Sequence, residues 1–69
     1  MTDNTATLDD QIAEVKREVA MRERVYDGWV LNGRMRLEDS QRQIRRMRAV
    51  LATLEKLRAD QRAEQPEMF

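Results

Sequence analysis

A chain that performs chemistry needs nucleophiles, bases or metal ligands, and this one has few. It contains no His and no Cys, and Ser40 is its single serine. That removes imidazole and thiol catalysis and the common zinc sites. Carboxylates and lysines are left for general acid–base work. Asp9 and Asp10 stand side by side, so on a helix they point about 100° apart and make a poor catalytic pair. They read instead as the acidic start of a helix. Carboxylates alone can hold Mg or Ca, but no EF-hand spacing is present. The expectation is no enzyme, no cofactor and no metal site.

The remaining polar chemistry is that of binding. Arg42, Arg45, Arg46 and Arg48, with Arg34 and Arg36 nearby, make residues 32–54 basic, six positive side chains against two negative. Such a face suits nucleic acid or an acidic partner. Equally it is a solvated surface whose arginines pair with Glu38, Asp39 and the acids of the first helix. The whole chain balances 13 Lys and Arg against 13 Asp and Glu, whereas a general nucleic-acid binder is globally basic. Nucleic acid is therefore the less favoured partner. Residues 1–14 carry four acids and no base, and Glu55, Asp60, Glu64 and Glu67 lie towards the other end of the chain. In an antiparallel hairpin these segments share one acidic pole. That pole suits a basic partner such as a DNA-binding domain, or serves only the helix dipole and solubility.

Tyr26-Asp27-Gly28-Trp29 holds the single Tyr and the single Trp, three apart on one helix face. Aromatic residues of this kind anchor interfaces. They also close cores, with Gly28 permitting a close helix approach; both readings hold if the core in question is a dimer interface. Gly28 costs a helix roughly 1 kcal/mol relative to Ala. Met21, Met35 and Met47 read as core filler.

Two helices must position these residues. Leu8, Ile12, Val15, Val19, Tyr26 and Trp29 recur at spacings of three, four and seven, the stripe of an amphipathic helix. Arg22 interrupts the stripe and fits if its aliphatic stem lies along the seam. Thr7 or Asp9 supplies the N-cap, and Asn32-Gly33 the stop. After a turn at 33–36, Leu37, Ile44, Met47, Leu51 and Leu54 mark a second stripe. Its cap is weak, because Arg36 stands where Ser, Thr or Asp is preferred. Gln65-Pro66 ends it. The expected layout is a disordered lead-in over 1–7, helices over 8–32 and 37–62 forming one hairpin domain, and a flexible tail over 63–69. So short a connection makes the helices antiparallel neighbours.

Sixty-nine residues support only a small core, which usually needs a staple. Without disulfides or metal, oligomerisation is the staple left. Val50, Leu57, Met21, Val25 and Val30 widen both stripes beyond what a two-helix seam covers. The fold class is therefore all-α, an antiparallel two-helix hairpin dimerising into a four-helix arrangement. The dimer and core positions are Ile12, Val15, Val19, Ile44, Met47, Val50, Leu51, Leu54 and Leu57. Partner contacts are expected from Tyr26, Trp29, Arg42, Arg45, Arg46, Asp9 and Asp10. No apolar run reaches the roughly 20 residues of a membrane span, and Met1-Thr2-Asp3-Asn4 lacks the features of a signal peptide. A cytoplasmic protein without membrane contact is expected.

The run Ile12-Ala13-Glu14-Val15-Lys16-Arg17-Glu18-Val19 through Tyr26, then Trp29-Val30 and Gly33-Arg34-Met35, and finally Arg42-Gln43-Ile44 leading to Met47-Arg48-Ala49-Val50-Leu51, carries a resemblance. The chain resembles a group of small helical proteins of temperate phages and bacterial genomes, the phage anti-quorum-sensing proteins and their relatives, over residues 8–57. That group's pattern has Pro and a basic residue between Tyr and Trp, and a Ser or Thr cap after the turn; here Asp27-Gly28 and Arg36 stand instead. The resemblance implies an early phage protein that takes over the host by inhibiting its proteins. Its implied targets are a LuxR-type quorum-sensing regulator, whose DNA binding it blocks, and the type IV pilus assembly ATPase. The alternatives are a nucleic-acid-binding accessory protein using the Arg42–Arg48 face, and an assembly factor of the phage particle.

Overall fold

A computed structural model describes residues 5–64 as two helices, α1 over Leu8–Leu31 and α2 over Leu37–Glu64, with no strand among the described residues. Thr7, not Asp9, is the N-cap of α1. Its hydroxyl accepts from the Asp10 N–H at 3.0 Å, and the Asp10 carboxylate accepts from the Thr7 N–H at 3.3 Å. This reciprocal box satisfies two of the donors every helix start leaves open, and just outside it the Gln11 side-chain amide donates to the Ala6 carbonyl at 3.0 Å. At the far end, Gly33 takes φ +75°. The Gly33 N–H donates to the Val30 carbonyl at 3.1 Å and the Arg34 N–H to the Trp29 carbonyl at 2.8 Å. That pair of bonds is a Schellman closure, which needs a left-handed residue and so favours glycine.

α2 begins with Arg36 as its flanking residue, the Ser40 N–H donating to the Arg36 carbonyl at 3.0 Å. Glu38 and Asp39 in the first turn complement the helix dipole. The helix continues two residues beyond the expected end at 62, to Glu64; residues 65–69, with Pro66, lie outside the described residues, as do residues 1–4.

The helices run antiparallel. Partners across the pair descend along α2 as they ascend along α1: Asp9 with Arg58, Lys16 with Glu55, Glu23 with Arg48, and Tyr26 with Gln43. The centre of the seam is one row of α1, Ile12, Val19 and Tyr26, seven residues apart and the only buried apolar side chains among the described residues. Facing them on α2, Ile44, Met47, Leu51 and Leu54 are half-buried, and Ser40 is buried with its hydroxyl donating to the Leu37 carbonyl at 2.7 Å. A single layer of two helices cannot enclose its residues further. The radius of gyration is 16.4 Å, against about 11 Å for a compact domain of this length. No described helix is long and apolar enough to cross a membrane.

Candidate protein-interaction surface

Each helix presents two flanks beside the buried row, and the pairing of the helices aligns like with like. On one flank the rungs are ionic. Arg58 meets Asp9 at 3.1 Å, Lys16 meets Glu55 at 3.8 Å, and Arg48 pairs with Glu23. A shallow hollow of about 510 Å³ opens here between the helices, lined by Glu23, Asp27, Gln41, Ile44, Arg45 and Arg48. No cluster of metal-ligating side chains occurs among the described residues. The hollow is an open cleft lined by two carboxylates and two arginines, of which Glu23 and Arg48 are paired.

The opposite flank is apolar with one polar knot. At the turn end Tyr26 and Trp29 stack, ring centroids 5.5 Å apart and planes 25° from parallel. Tyr26 is the buried member, and its hydroxyl donates to Gln43 Oε1 at 3.2 Å. Trp29 stays 40% exposed. Next along α1, Arg22 Nε donates to Glu18 at 2.7 Å and Arg22 Nη1 to the Gln43 carbonyl at 3.4 Å. The Arg22 stem thus lies along the seam while its head is held by a carboxylate and a backbone oxygen. Beyond the knot, Val50 and Leu57 of α2 are each 45% exposed. Gln43, Val50 and Leu57 are seven apart and share a row; Val15, Arg22 and Trp29 form the facing row on α1. Exposed apolar side chains gathered on one flank make it the candidate interaction surface.

The expected site residues distribute unevenly over these flanks. Tyr26 and Trp29 are brought together as a pair. The arginines are not one face. Arg42 and Arg46 share one row and Arg45 and Arg48 another, fanned over the outer surface of α2. Arg42 pairs with Asp39 and Arg48 with Glu23, while Arg45 and Arg46 make no ion pair among the described residues. The acidic pole is largely accounted for locally. Asp10 is engaged in the cap, Asp9 pairs with Arg58, and Asp60 with Lys56 at 3.1 Å. Among the core positions, Ile12 and Val19 are buried and Val15, Ile44, Met47, Leu51 and Leu54 half-buried, but Val50 and Leu57 are not core of the hairpin. They sit on the open flank because a two-helix layer has no third element to cover them. Gly28 does not permit a close helix approach: a Cβ added there meets nothing within 4 Å.

Sequence reasoning missed Ser40 as a seam residue. Its signal was the unfilled step between Leu37 and Ile44, where the three-and-four spacing demands an inward position. It also missed the Glu18–Arg22–Gln43–Tyr26 knot, visible beforehand only as charges inside an apolar stripe. The fold and its flanks thus define an all-α helical hairpin with one ionic and one apolar side. Comparison of the chain with protein-family models, curated proteins and solved structures finds no match to any of them.

Proposed function

We propose that this chain is a small interaction protein that dimerises through its apolar flank and inhibits host proteins by occupying their surfaces, without chemistry of its own. The observation that carries the interaction reading is the disproportion between a buried apolar core of three among the described residues and an open flank holding Trp29, Val50 and Leu57. A hairpin alone gains little from so small a core, and covering the flank supplies the missing burial. A two-chain, four-helix arrangement does this with the least new structure.

The identity of the inhibited proteins rests on the family resemblance of residues 8–57. It directs attention to a LuxR-type regulator, with its DNA-contacting surface blocked, and to the pilus assembly ATPase, both met in the host cytoplasm. The balanced charge of the chain and the intact ionic flank support protein partners over nucleic acid. Arg42 and Arg48 are already engaged by carboxylates, which lowers the positive potential a phosphate backbone would meet.

Titration calorimetry of the purified chain against a purified LuxR-type regulator and a purified pilus ATPase tests the inhibitor reading. Saturable binding at micromolar or tighter affinity, with loss of regulator–DNA binding in a gel-shift assay, is the expected result. Absence of binding to both removes these targets, whatever the oligomeric state. Steeply salt-dependent binding to duplex DNA instead would favour the arginine reading.

A further inference from the structure

The turn end of the hairpin is composed unlike the rest of the chain. Charged residues make up 38% of the whole, acids and bases in equal number. The nine residues from Trp29 to Leu37 hold five large apolar side chains, two arginines and no acid. Reversal of the chain at Gly33 gathers them at one end of the helix pair. Leu31 is 86% exposed, the most open large apolar side chain among the described residues, and Leu37 is 57% exposed. Arg34 and Arg36 stand open between them. Arg34 makes no ion pair among the described residues, and Arg36 reaches only Glu38, at 3.8 Å. The bonds that close α1 onto Gly33 and Arg34 fix the backbone here, so this end is presented without a loop to order first.

The charge behind the tip has the same sign. Residues 20–50 carry eight arginines against four acids. Of those acids, Glu23, Glu38 and Asp39 each pair with an arginine, and Asp27 lines the hollow on the ionic flank. Arg45 and Arg46 make no ion pair among the described residues. They lie about 12–14 Å along α2 from Leu37, at 1.5 Å per residue, close to one screening length at physiological salt.

Exposed leucines set among cations at the end of a rod fit a surface that is both anionic and penetrable. A phosphate backbone would engage the arginines and leave Leu31 and Leu37 in water. A protein partner would need a pocket shaped to the tip. An anionic bilayer takes both kinds of side chain without a shaped pocket: apolar groups enter among the headgroups, cations meet lipid phosphates, and Trp favours the boundary between them. No described helix is long and apolar enough to cross a membrane, but surface contact needs only a few side chains at headgroup depth. The expectation of no membrane contact came from the lack of a spanning run and does not extend to this end.

We propose that the turn end docks on an anionic lipid surface, with Leu31 and Leu37 entering the headgroup region, Trp29 at its edge, and Arg34 and Arg36 on lipid phosphates. This docking stands apart from the dimer and the host targets, which use other surfaces of the hairpin.

Co-sedimentation of the full chain with vesicles tests this, using phosphatidylcholine alone and phosphatidylcholine mixed with phosphatidylglycerol. Circular dichroism confirms that each variant stays helical, and the emission of the single Trp, which shifts to the blue as water leaves its surroundings, gives a second reading. The wild-type chain is expected to bind the mixed vesicles with a blue shift, and to bind phosphatidylcholine alone about tenfold more weakly or less. Leu31→Asp, at a position too exposed to matter for folding, should lower binding to the mixed vesicles about tenfold or more. Arg34→Gln with Arg36→Gln should do the same. Val50→Ala with Leu57→Ala should leave it unchanged. Absence of wild-type binding to the mixed vesicles at low salt overturns the proposal. So does a loss confined to the Val50 and Leu57 variant, which would move lipid contact to the apolar flank. Binding that Leu31→Asp retains, that salt abolishes and that duplex DNA shares also overturns it, because the tip would then be an anion site without insertion. None of these outcomes alters the calorimetric test of the host targets.

Discussion

The two flanks of this hairpin are built from the same two helices and differ in how they are finished. The ionic flank is complete within one chain: Asp9, Lys16 and Glu23 of α1 each find an opposite charge on α2, and solvent covers the rest. The apolar flank is not complete. Trp29, Val50 and Leu57 stay close to half exposed although Tyr26, Val19 and Ile12 beside them are the buried apolar side chains among the described residues. Exposed ion pairs contribute little to stability, while covered aliphatic and aromatic area contributes most of it. The flank that looks well bonded is therefore the energetically quiet one, and the flank that looks bare holds the unrealised free energy.

The sharpest way to break this contrast is to attack the shared centre. Ile12→Ala removes the most buried side chain, 2% exposed, and truncation of a buried aliphatic costs about 3 kcal/mol. In urea melts that loss should leave little folded protein. A cost below about 1 kcal/mol would place the centre of folding elsewhere, and the flanks would need redefining.

Next in size is the double substitution Val50→Ala with Leu57→Ala on the apolar flank. These side chains are only part-buried in one chain, so on dilution to the monomer their loss costs about 1 kcal/mol or less. Where the dimer forms, the same change should cost about 2–3 kcal/mol, because covered area is then lost from both copies. Melting temperature measured over a hundredfold range of concentration separates the two. A concentration-independent effect would mean the flank is covered by nothing.

Much of the contrast was readable before any coordinates, and its limit is physical. The periodicity gives the angle of each residue around its own helix, so Ile12, Val19 and Tyr26 were placed inward, and Asn32-Gly33 was placed at the turn. Periodicity does not give the rotation of one helix against the other. Val50 and Leu57 were already placed beside the Leu51 and Leu54 stripe, beyond a two-helix seam; the rotation decides that they share a side with Arg22, away from the ion pairs of Lys16 and Glu23. Of the two readings of the arginines, the pairs Arg36–Glu38, Arg42–Asp39 and Arg48–Glu23 follow the solvated one. Arg42, Arg45, Arg46 and Arg48 are close in sequence, yet at about 100° per residue they fan apart, and two of them reach carboxylates. Asp10, read as part of an acidic helix start, also closes the cap on Thr7, a hydrogen bond that leaves its charge in place. The proposed dimer and the proposed targets concern surfaces between chains, where a single sequence has least to say.

A smaller effect, of opposite sign, is expected at Gly28. It lies inside α1, and an added Cβ meets no atom within 4 Å. Gly28→Ala should therefore stabilise the chain by about 0.5–1 kcal/mol, from helix propensity and a stiffer unfolded state. Thermal melts at fixed concentration read this as a rise of a few degrees, on the usual scale of about 4–8 °C per kcal/mol for a small domain. A fall instead would show that the Gly28 backbone is approached by a partner in solution, and would move the interface onto the outer face of α1.

The smallest effect expected is on the ionic flank, and it is the one that tests the contrast most directly. Arg48 pairs with Glu23, with side chains 61% and 40% exposed. Arg48→Met keeps the aliphatic stem and removes only the charge. Because water screens so open a pair, the loss should be about 0.5 kcal/mol or less, and it should shrink further in 1 M salt, where the screening length falls to about 3 Å. The dimerisation constant should not change, since Arg48 lies on the side of the hairpin away from Trp29 and Leu57. Urea melts at low and high salt, with sedimentation on the same samples, give both readings. A loss above about 2 kcal/mol that persists in salt would mean that the Glu23–Arg48 pair is desolvated in the assembled protein. The ionic flank would then be the covered one, and the assignment of the two sides would have to be exchanged.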